Sequence, residues 1–250
     1  MIVAPGFLGF KDWGFFPYVS ERICQAGFLV LTFSHSLCGV AENLFEITDQ
    51  EAFARNSTSQ ELKDWDLILD TILSGRLHQA RRSKLNRVGI VGHSRGGSYA
   101  ILMARKTPQI QSIVAWGAIE TFDRYGAESV KQWRATGSLP LEGKSSRTPL
   151  KLGIQALDAL ERNYERLDVM AAVRSVNIPI LLLHGREDRR VPLAEGKHLL
   201  QAANPYFSQL YIIESAGHSF RTSHPFTAPS LPLSEAVTKT VSWLERTLTP

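Results

Sequence analysis

Short apolar runs alternate along this chain with longer segments in which apolar residues recur every three or four positions. A short apolar run is typical of a buried strand, whereas the longer spacing is typical of a helix with one buried face. Strands that alternate with helices predict a doubly wound α/β fold, in which helices cover both faces of a mostly parallel sheet. The predicted strands are residues 1–4, 28–33, 88–91, 111–116, 178–185 and 209–213.

A long polar stretch follows the second predicted strand and departs from this simple alternation. It extends to Ser57, and we expect residues 49–55 to form a short helix within it. The next helix is predicted to begin at a capping box formed by Thr58 and Glu61. Its apolar face includes Trp65, which we assign to the core.

The longest interruption lies between the fourth and fifth predicted strands. Residues 117–166 fill a gap that a single crossover helix would close with far fewer residues. We expect them to form a small, mainly helical cap with a loop around residues 142–148, inserted into a single domain of residues 1–250. The alternative is an ordinary long crossover.

The composition narrows the class of protein. Because 44% of the 250 residues are hydrophobic, the chain can bury one large core. No apolar run approaches the roughly 18 residues of a membrane span, and the start lacks a signal-peptide pattern, so we predict a cytoplasmic protein without a membrane partner.

The net charge of +4 comes from scattered basic residues rather than a basic stripe, which argues against a nucleic-acid partner. Cys24 and Cys38 are expected to be reduced thiols.

Residues 92–97 read Gly-His-Ser-Arg-Gly-Gly and lie where an apolar run stops and a helical pattern begins. A strand that turns directly into a helix exposes the residue at the tip and leaves little room for a Cβ two residues before and after it. Ser94 is therefore a candidate nucleophile. The alternatives are a phosphate-binding glycine turn and a plain tight connection.

A nucleophilic serine needs a histidine to accept its proton and an acid to orient that histidine. Asp188 follows the fifth predicted strand, with adjacent Glu187 as the second choice, and His218 follows a glycine after the sixth. Residues that follow parallel strands meet at one edge of a sheet. We therefore expect Ser94, Asp188 and His218 to act together as a catalytic triad.

The other histidines and the cysteines do not indicate a metal. No pair of them has metal-ligand spacing, so we expect neither a metal nor another cofactor. His93 and His184 lie at strand ends and are expected to support the site. The remaining histidines are expected on the surface or in loops: His35, His78, His198 and His224.

Taken together, these segments resemble the α/β-hydrolases, closest to the dienelactone hydrolase-like and serine-esterase branches, over nearly the whole chain. The resemblance is carried by Pro5-Gly6-Phe7, by residues 92–97, by the segment His-Gly-Arg-Glu-Asp-Arg-Arg-Val-Pro around Asp188, and by Ala-Gly-His-Ser-Phe around His218. The order Ser, Asp, His is the one expected of this superfamily. The chain departs from many relatives in having Pro5 where they have histidine. It also opens directly on the first core strand, without the antiparallel strands that many relatives carry upstream, so it is expected to be either a minimal version of the fold or a chain with a trimmed start.

The resemblance implies an oxyanion hole made by the backbone N–H groups of Phe7 and Arg95. The Arg95 N–H would lie at a helix start, where the dipole favours negative charge. Trp116, Tyr125 and Trp133 are candidates to line the substrate pocket, and an equal alternative is that they form the core of the cap.

The predicted reaction is hydrolysis of a small, water-soluble carboxylic ester through an acyl-enzyme on Ser94. An amide, peptide or thioester could be cleaved by the same groups, and a non-catalytic binding scaffold is the alternative from another class. The predicted cap carries many charged residues and no extended apolar run, which favours a soluble small-molecule substrate over a lipid surface.

Overall fold

The computed structural model describes residues 1–77, 87–141 and 149–248. The strands are β1 (Ile2–Ala4), β2 (Leu31–Thr32), β3 (Val88–His93), β4 (Ile110–Trp116), β5 (Ser138–Leu141), β6 (Leu150–Gly153), β7 (Ile180–Gly185) and β8 (Ser208–Ile213). The α-helices are α1 (Phe16–Gln25), α2 (Gln50–Ala54), α3 (Thr58–Leu73), α4 (Arg95–Lys106), α5 (Ala127–Thr136), α6 (Ile154–Arg162), α7 (Val169–Ser175), α8 (Leu193–Ala202) and α9 (Leu231–Leu248).

Within the described residues, the central sheet has six strands in the order β2-β1-β3-β4-β7-β8. All its neighbouring strands pair in parallel. Ile2 and Ala4 pack on the face covered by α3, α4 and α7, whereas Val3 between them packs on the face covered by α1 and α9. Because both faces are covered, β3 and β7 are buried along their whole length. The predicted doubly wound α/β fold is confirmed.

The carboxyl ends of the central strands lie at one edge of the sheet, where β7 and β8 extend two residues beyond the positions paired with the end of β4. His93 at the end of β3 pairs with Trp116 on β4, which pairs with Leu183 on β7, which pairs with Tyr211 on β8. The loops that follow β3, β7 and β8 therefore begin side by side at this edge.

The segment 117–166 contains α5, α6 and an antiparallel pair of strands, β5 and β6, that the sequence analysis did not predict. In β6, buried Leu150 and Leu152 alternate with more exposed positions, the period of two that a strand requires. They pack with buried Trp133 in a small core separate from those on the sheet faces. The predicted loop at 142–148 lies outside the described residues.

The polar stretch after β2 contains the expected short helix. The Asp49 side chain accepts a hydrogen bond from the Ala52 backbone N–H at 2.8 Å and begins α2. The strand predicted over 28–33 is reduced to Leu31–Thr32 at the edge of the sheet. In the part of the chain that the structure describes, no helix is both long and apolar enough to cross a membrane.

The predicted capping box at the start of α3 is wrong. The residue that caps the helix is Ser57, whose hydroxyl oxygen accepts a hydrogen bond from the Gln60 N–H at 3.3 Å. Glu61 therefore does not cap the helix. It faces inward and is 2% exposed. It lies on the same helical stripe as Trp65, four residues later, which is fully buried as predicted.

Candidate active site

Ser94 occupies a strained turn between β3 and α4. Its backbone has φ 54° and ψ −124°, a conformation that side chains rarely adopt. A Cβ on Gly92 would lie 2.3 Å from the carbonyl oxygen of Gly96, and one on Gly96 would lie 2.5 Å from that of Pro5. Only glycine therefore fits on either side of Ser94, as the sequence motif predicts for a strand that turns sharply into a helix.

Asp188 and His218 are in direct contact at the same edge of the sheet. His218 Nδ1 lies 2.7 Å from Asp188 Oδ2, and the backbone N–H groups of Arg190 and Val191 each donate to Asp188 Oδ1 at 2.9 Å. Burial by itself raises the pKa of Asp188, but the bond and charge of His218 and the two N–H donors lower it below its ordinary value. Asp188 is thus held as a carboxylate that orients the imidazole.

Ser94 and His218 line one cleft of about 370 Å³. Ser94 Oγ has no hydrogen-bond partner among the described residues. Hydrogen bonds between a nucleophile and its general base are often long before substrate binds. The cleft is also lined by Phe7, Arg95 and Tyr125. The structure therefore brings the predicted serine, the histidine–aspartate pair and both predicted oxyanion-hole residues to one place.

The loop that carries Phe7 packs closely against Ser94. A Cβ on the preceding residue, Gly6, would lie 2.9 Å from both the Ser94 Cβ and the carbonyl oxygen of His93. Arg95 is the first residue of α4, so its backbone N–H has no acceptor within the helix. Both backbone N–H groups are thus carried by segments that meet at the nucleophile.

His93 and His184 both contact the site. His93 Nε2 donates to the carbonyl oxygen of His218 at 2.9 Å, and the two imidazole centroids are 4.6 Å apart. Burial, together with the charge of His218, lowers the pKa of His93 to about 3, so it stays neutral at physiological pH. His184 Nε2 donates to the Val191 carbonyl at 2.9 Å and braces the loop that carries Asp188.

Only Tyr125 of the three aromatic pocket candidates lines the cleft. Trp116 is 1% exposed and donates its indole N–H to Thr240 on α9, because its position in β4 directs the ring to the α1 and α9 face of the sheet. Trp133 is fully buried in the small core of the inserted segment. For both residues the pocket prediction is wrong. The alternative, the core of the cap, holds for Trp133, whereas Trp116 belongs to the core on the α1 and α9 face of the sheet.

The sequence analysis missed Glu61 as a residue close to the site. Its carboxylate lies 3.3 Å from the guanidinium of Arg95, next to the candidate nucleophile, and the two side chains are 3% and 12% exposed. Assigning Glu61 to a capping box led us to expect it at the helix start rather than near the site. Its position on the apolar stripe of α3, one turn before Trp65, is the feature of the sequence that indicates burial.

Comparison with known families identifies the chain. A family model described as "BAAT / Acyl-CoA thioester hydrolase C terminal" matches residues 77–243, which is more than half of the sequence. The chain belongs to this family. The sequence motifs resemble those of the α/β-hydrolases. Membership of the BAAT / acyl-CoA thioester hydrolase C-terminal family confirms that the chain is an α/β-hydrolase. No curated protein matches the sequence.

Solved structures share this family member's fold at low sequence identity. A putative hydrolase from Agrobacterium vitis is 16% identical, with a TM-score of 0.72 over 99% of this chain and 87% of the other. Est1E from Butyrivibrio proteoclasticus, solved with ferulic acid bound, is 17% identical, with a TM-score of 0.66 over 100% and 89%. A monoacylglycerol lipase from Paleococcus ferrophilus is 18% identical, with a TM-score of 0.66 over 97% and 92%. At 16–18% identity these neighbours support the shared α/β-hydrolase fold of the chain.

Proposed function

We propose that this protein is a serine hydrolase that cleaves small, water-soluble carboxylic esters through an acyl-enzyme intermediate. The observation that carries the proposal is the strained Ser94 in the same cleft as His218, whose Nδ1 is bound to Asp188 at 2.7 Å. A serine at a sharp turn, a histidine beside it and a buried acid that orients the histidine are the parts that nucleophilic acyl transfer requires.

In the first half of the reaction, Ser94 Oγ attacks the ester carbonyl carbon while His218 Nε2 accepts the serine proton. The carbonyl oxygen becomes an oxyanion that accepts hydrogen bonds from the N–H groups of Phe7 and Arg95. When the tetrahedral intermediate collapses, the bond to the leaving alkoxide breaks and His218 gives that oxygen its proton. Asp188 stabilises the imidazolium that exists between these two transfers.

In the second half, a water molecule takes the place of the alcohol. His218 removes a proton from this water as its oxygen attacks the acyl carbon, and then returns the proton to Ser94 Oγ as the acid departs. The same oxyanion hole serves both halves. No cofactor is needed for these steps.

Residues 117–166 are proposed to act as a cap over this cleft within a single domain. Ile119, Arg124, Tyr125 and Leu141 all come from this segment and line the cleft. Their position supports a role in limiting the size of the acyl group. The cytoplasmic location stays a prediction from the sequence.

A thioester is the second candidate substrate, because the chain belongs to a family named for acyl-CoA thioester hydrolases. The cleft supports it through Arg190, which lines the cleft without a carboxylate partner among the described residues, whereas Arg95 and Arg124 also line it but are paired with Glu61 and Glu195. A guanidinium of this kind attracts an anionic leaving group. The kcat/KM of the enzyme should therefore be measured for a butyryl oxygen ester and for a butyryl thioester. A kcat/KM for the thioester more than about tenfold above that of the ester would reassign the substrate class.

A fluorophosphonate probe tests the proposed nucleophile. We expect it to label Ser94, and to lose that labelling in Ser94→Ala and in His218→Ala, because only a serine activated by histidine reacts rapidly. Ser98→Ala is the matched control, since Ser98 lies one turn further along α4 with its hydroxyl bound to the Ile119 carbonyl. Folded protein that is not labelled, or that is labelled at Ser98, would favour the binding scaffold or another nucleophile.

A further inference from the structure

A buried ion pair lies directly behind the proposed oxyanion hole. Arg95 Nη1 is 3.3 Å from both carboxylate oxygens of Glu61, and the side chains are 12% and 3% exposed. Desolvation offsets most of what a buried ion pair contributes to stability. The pair therefore calls for an explanation other than stability alone.

The carboxylate of Glu61 is fixed from several directions. The Tyr99 hydroxyl donates to Oε2 at 2.8 Å, and the Asn56 amide donates to Oε1 at 3.0 Å. Burial raises the pKa of Glu61, but the charge of Arg95 and these hydrogen bonds lower it below its ordinary value. Glu61 is thus a rigid, charged anchor with little freedom to move.

The other side of the Arg95 guanidinium faces the loop that follows β1. Its central carbon lies 4.3 Å from the centroid of the Phe7 ring and 5.7 Å from that of Phe122. The Phe7 ring also contacts Phe53, with centroids 5.9 Å apart. A guanidinium stacked on an aromatic face in a desolvated site is a strong and directional contact.

This loop needs an external anchor because its own backbone supplies few bonds. Leu8 has φ 64°, in the left-handed region that disfavours a side chain. The Phe7 N–H has no backbone acceptor among the described residues, and the Gly9 N–H closes only a short turn onto the Gly6 carbonyl. The chain also has Pro5 at the position before Gly6, so no side-chain donor is available there.

We infer that Arg95 and Glu61 are positioning residues that hold the Phe7 N–H in register with the Arg95 N–H. Arg95 then has two roles: its backbone supplies one oxyanion donor, and its side chain fixes the segment that supplies the other. The inference rests on the proposed function, because it assumes that these N–H groups stabilise the oxyanion.

Three variants test this link with a neutral ester, p-nitrophenyl acetate. Arg95→Met removes the charge, Phe7→Leu removes the ring but leaves the ion pair, and Arg95→Lys keeps the charge but loses the planar face. We expect kcat to fall about 10- to 100-fold in the first two, with KM within about twofold, because a shifted oxyanion donor affects the transition state most. Arg95→Lys should recover part of the loss.

The chain offers a matched control in Lys106→Met. Lys106 is also on α4 and is also ion-paired with a carboxylate of α3, Asp66, but on the surface. Removing it breaks the same kind of link between the same two helices without affecting the loop, so kcat should stay within about twofold. The number of active sites in each preparation is counted by fluorophosphonate titration, which separates loss of folded enzyme from loss of turnover.

Two further measurements decide the inference. The affinity of a boronic acid that mimics the tetrahedral intermediate should weaken in proportion to the loss in kcat/KM. The double variant Phe7→Leu/Arg95→Met should be no worse than the more damaging single variant, because both remove one contact. Additive losses, an unchanged boronic acid affinity, or a change confined to KM would overturn the positioning role. Failure of the proposed function is distinguishable, since Ser94→Ala would then retain activity whatever happens at Arg95.

Discussion

His218 Nδ1 lies 2.7 Å from Asp188 Oδ2, and the other oxygen of this carboxylate is bound by two backbone N–H groups of its own loop. Asp188 can therefore neither rotate away nor exchange its role with its neighbour Glu187. The Glu187 side chain is exposed and faces Arg221 at 3.8 Å. The sequence left open which of these two adjacent acids orients His218. The geometry predicts that it is Asp188, and a substitution of Glu187 serves as the control.

Asp188→Asn should reduce kcat about 10³- to 10⁴-fold, because the neutral amide can no longer stabilise the imidazolium. Ser94→Ala and His218→Ala should each cost about 10⁴-fold or more, and double replacements should add little, since the triad acts as a unit. Glu187→Gln should stay close to full activity. Steady-state kinetics on p-nitrophenyl butyrate make the comparison, and a dead Glu187→Gln beside an active Asp188→Asn would reverse the assignment.

Activity should fall as the pH is lowered from about pH 8 to about pH 5, because a protonated imidazole cannot accept the serine proton. The lowered pKa of Asp188 keeps that carboxylate ionised over the same range, so the loss reports the histidine. A pH profile of kcat/KM measures it. A flat profile would contradict His218 as the base.

Stability should also depend on pH through His93. Its pKa is lowered from 6.5 to about 3 in the folded protein, so the unfolded chain binds a proton that the folded chain does not between those values. The free energy of unfolding therefore decreases as the pH falls below 6.5, by about 2 kcal/mol between pH 7 and pH 5.

Urea unfolding of the wild type and of His93→Gln at both pH values checks this prediction. Glutamine does not titrate, and the variant should lose most of the difference between the two pH values. Glu61 and Asp188 have ordinary pKa values of 4.5 and 3.8 that the fold lowers, so their contribution to stability disappears only at lower pH. An equal pH dependence in both proteins would contradict the assignment.

Gly6→Ala should impair catalysis more than folding. The new Cβ would lie 2.9 Å from the Ser94 Cβ and from the His93 carbonyl oxygen, so the loop with the Phe7 N–H must shift away from the nucleophile. A displacement of this kind should reduce kcat about 10²-fold. Gly126→Ala is the control, because a Cβ there meets nothing within 4 Å, and it should leave kcat nearly unchanged. Equal kcat in both variants would show that the loop can move without consequence.

Short acyl chains should be preferred. A cleft of about 370 Å³ gains binding energy with each buried methylene, about 0.8 kcal/mol, only until its end is reached. We expect higher kcat/KM for p-nitrophenyl acetate and butyrate than for the palmitate, with no jump in rate when the substrate passes its solubility limit. A preference for palmitate, or such a jump, would indicate a lipase-type cap instead.

Patterns in the sequence predict the order of the central strands and helices along the chain and the candidate site residues that follow those strands. Apolar runs such as that of β7 are buried on both faces, so their hydrophobicity alone reveals them, and the glycines beside Ser94 are required by backbone contact within the same turn. Asp188 and His218 could be located because parallel strands bring the residues after them to one edge. These are local signals, and the fold class that they predict is confirmed.

Contacts between distant segments of the chain determine which side chains face the cleft and which are buried in the core. Trp116, at the end of β4, packs in the core on the α1 and α9 face, whereas Tyr125, a few residues later, lines the cleft. Both are large aromatic residues, so residue type does not distinguish the two outcomes. Glu61 reads as a capping residue until α4 places Arg95 against it. Such outcomes depend on contacts between residues far apart in the chain, and the pattern of a single segment carries no information about what packs against it.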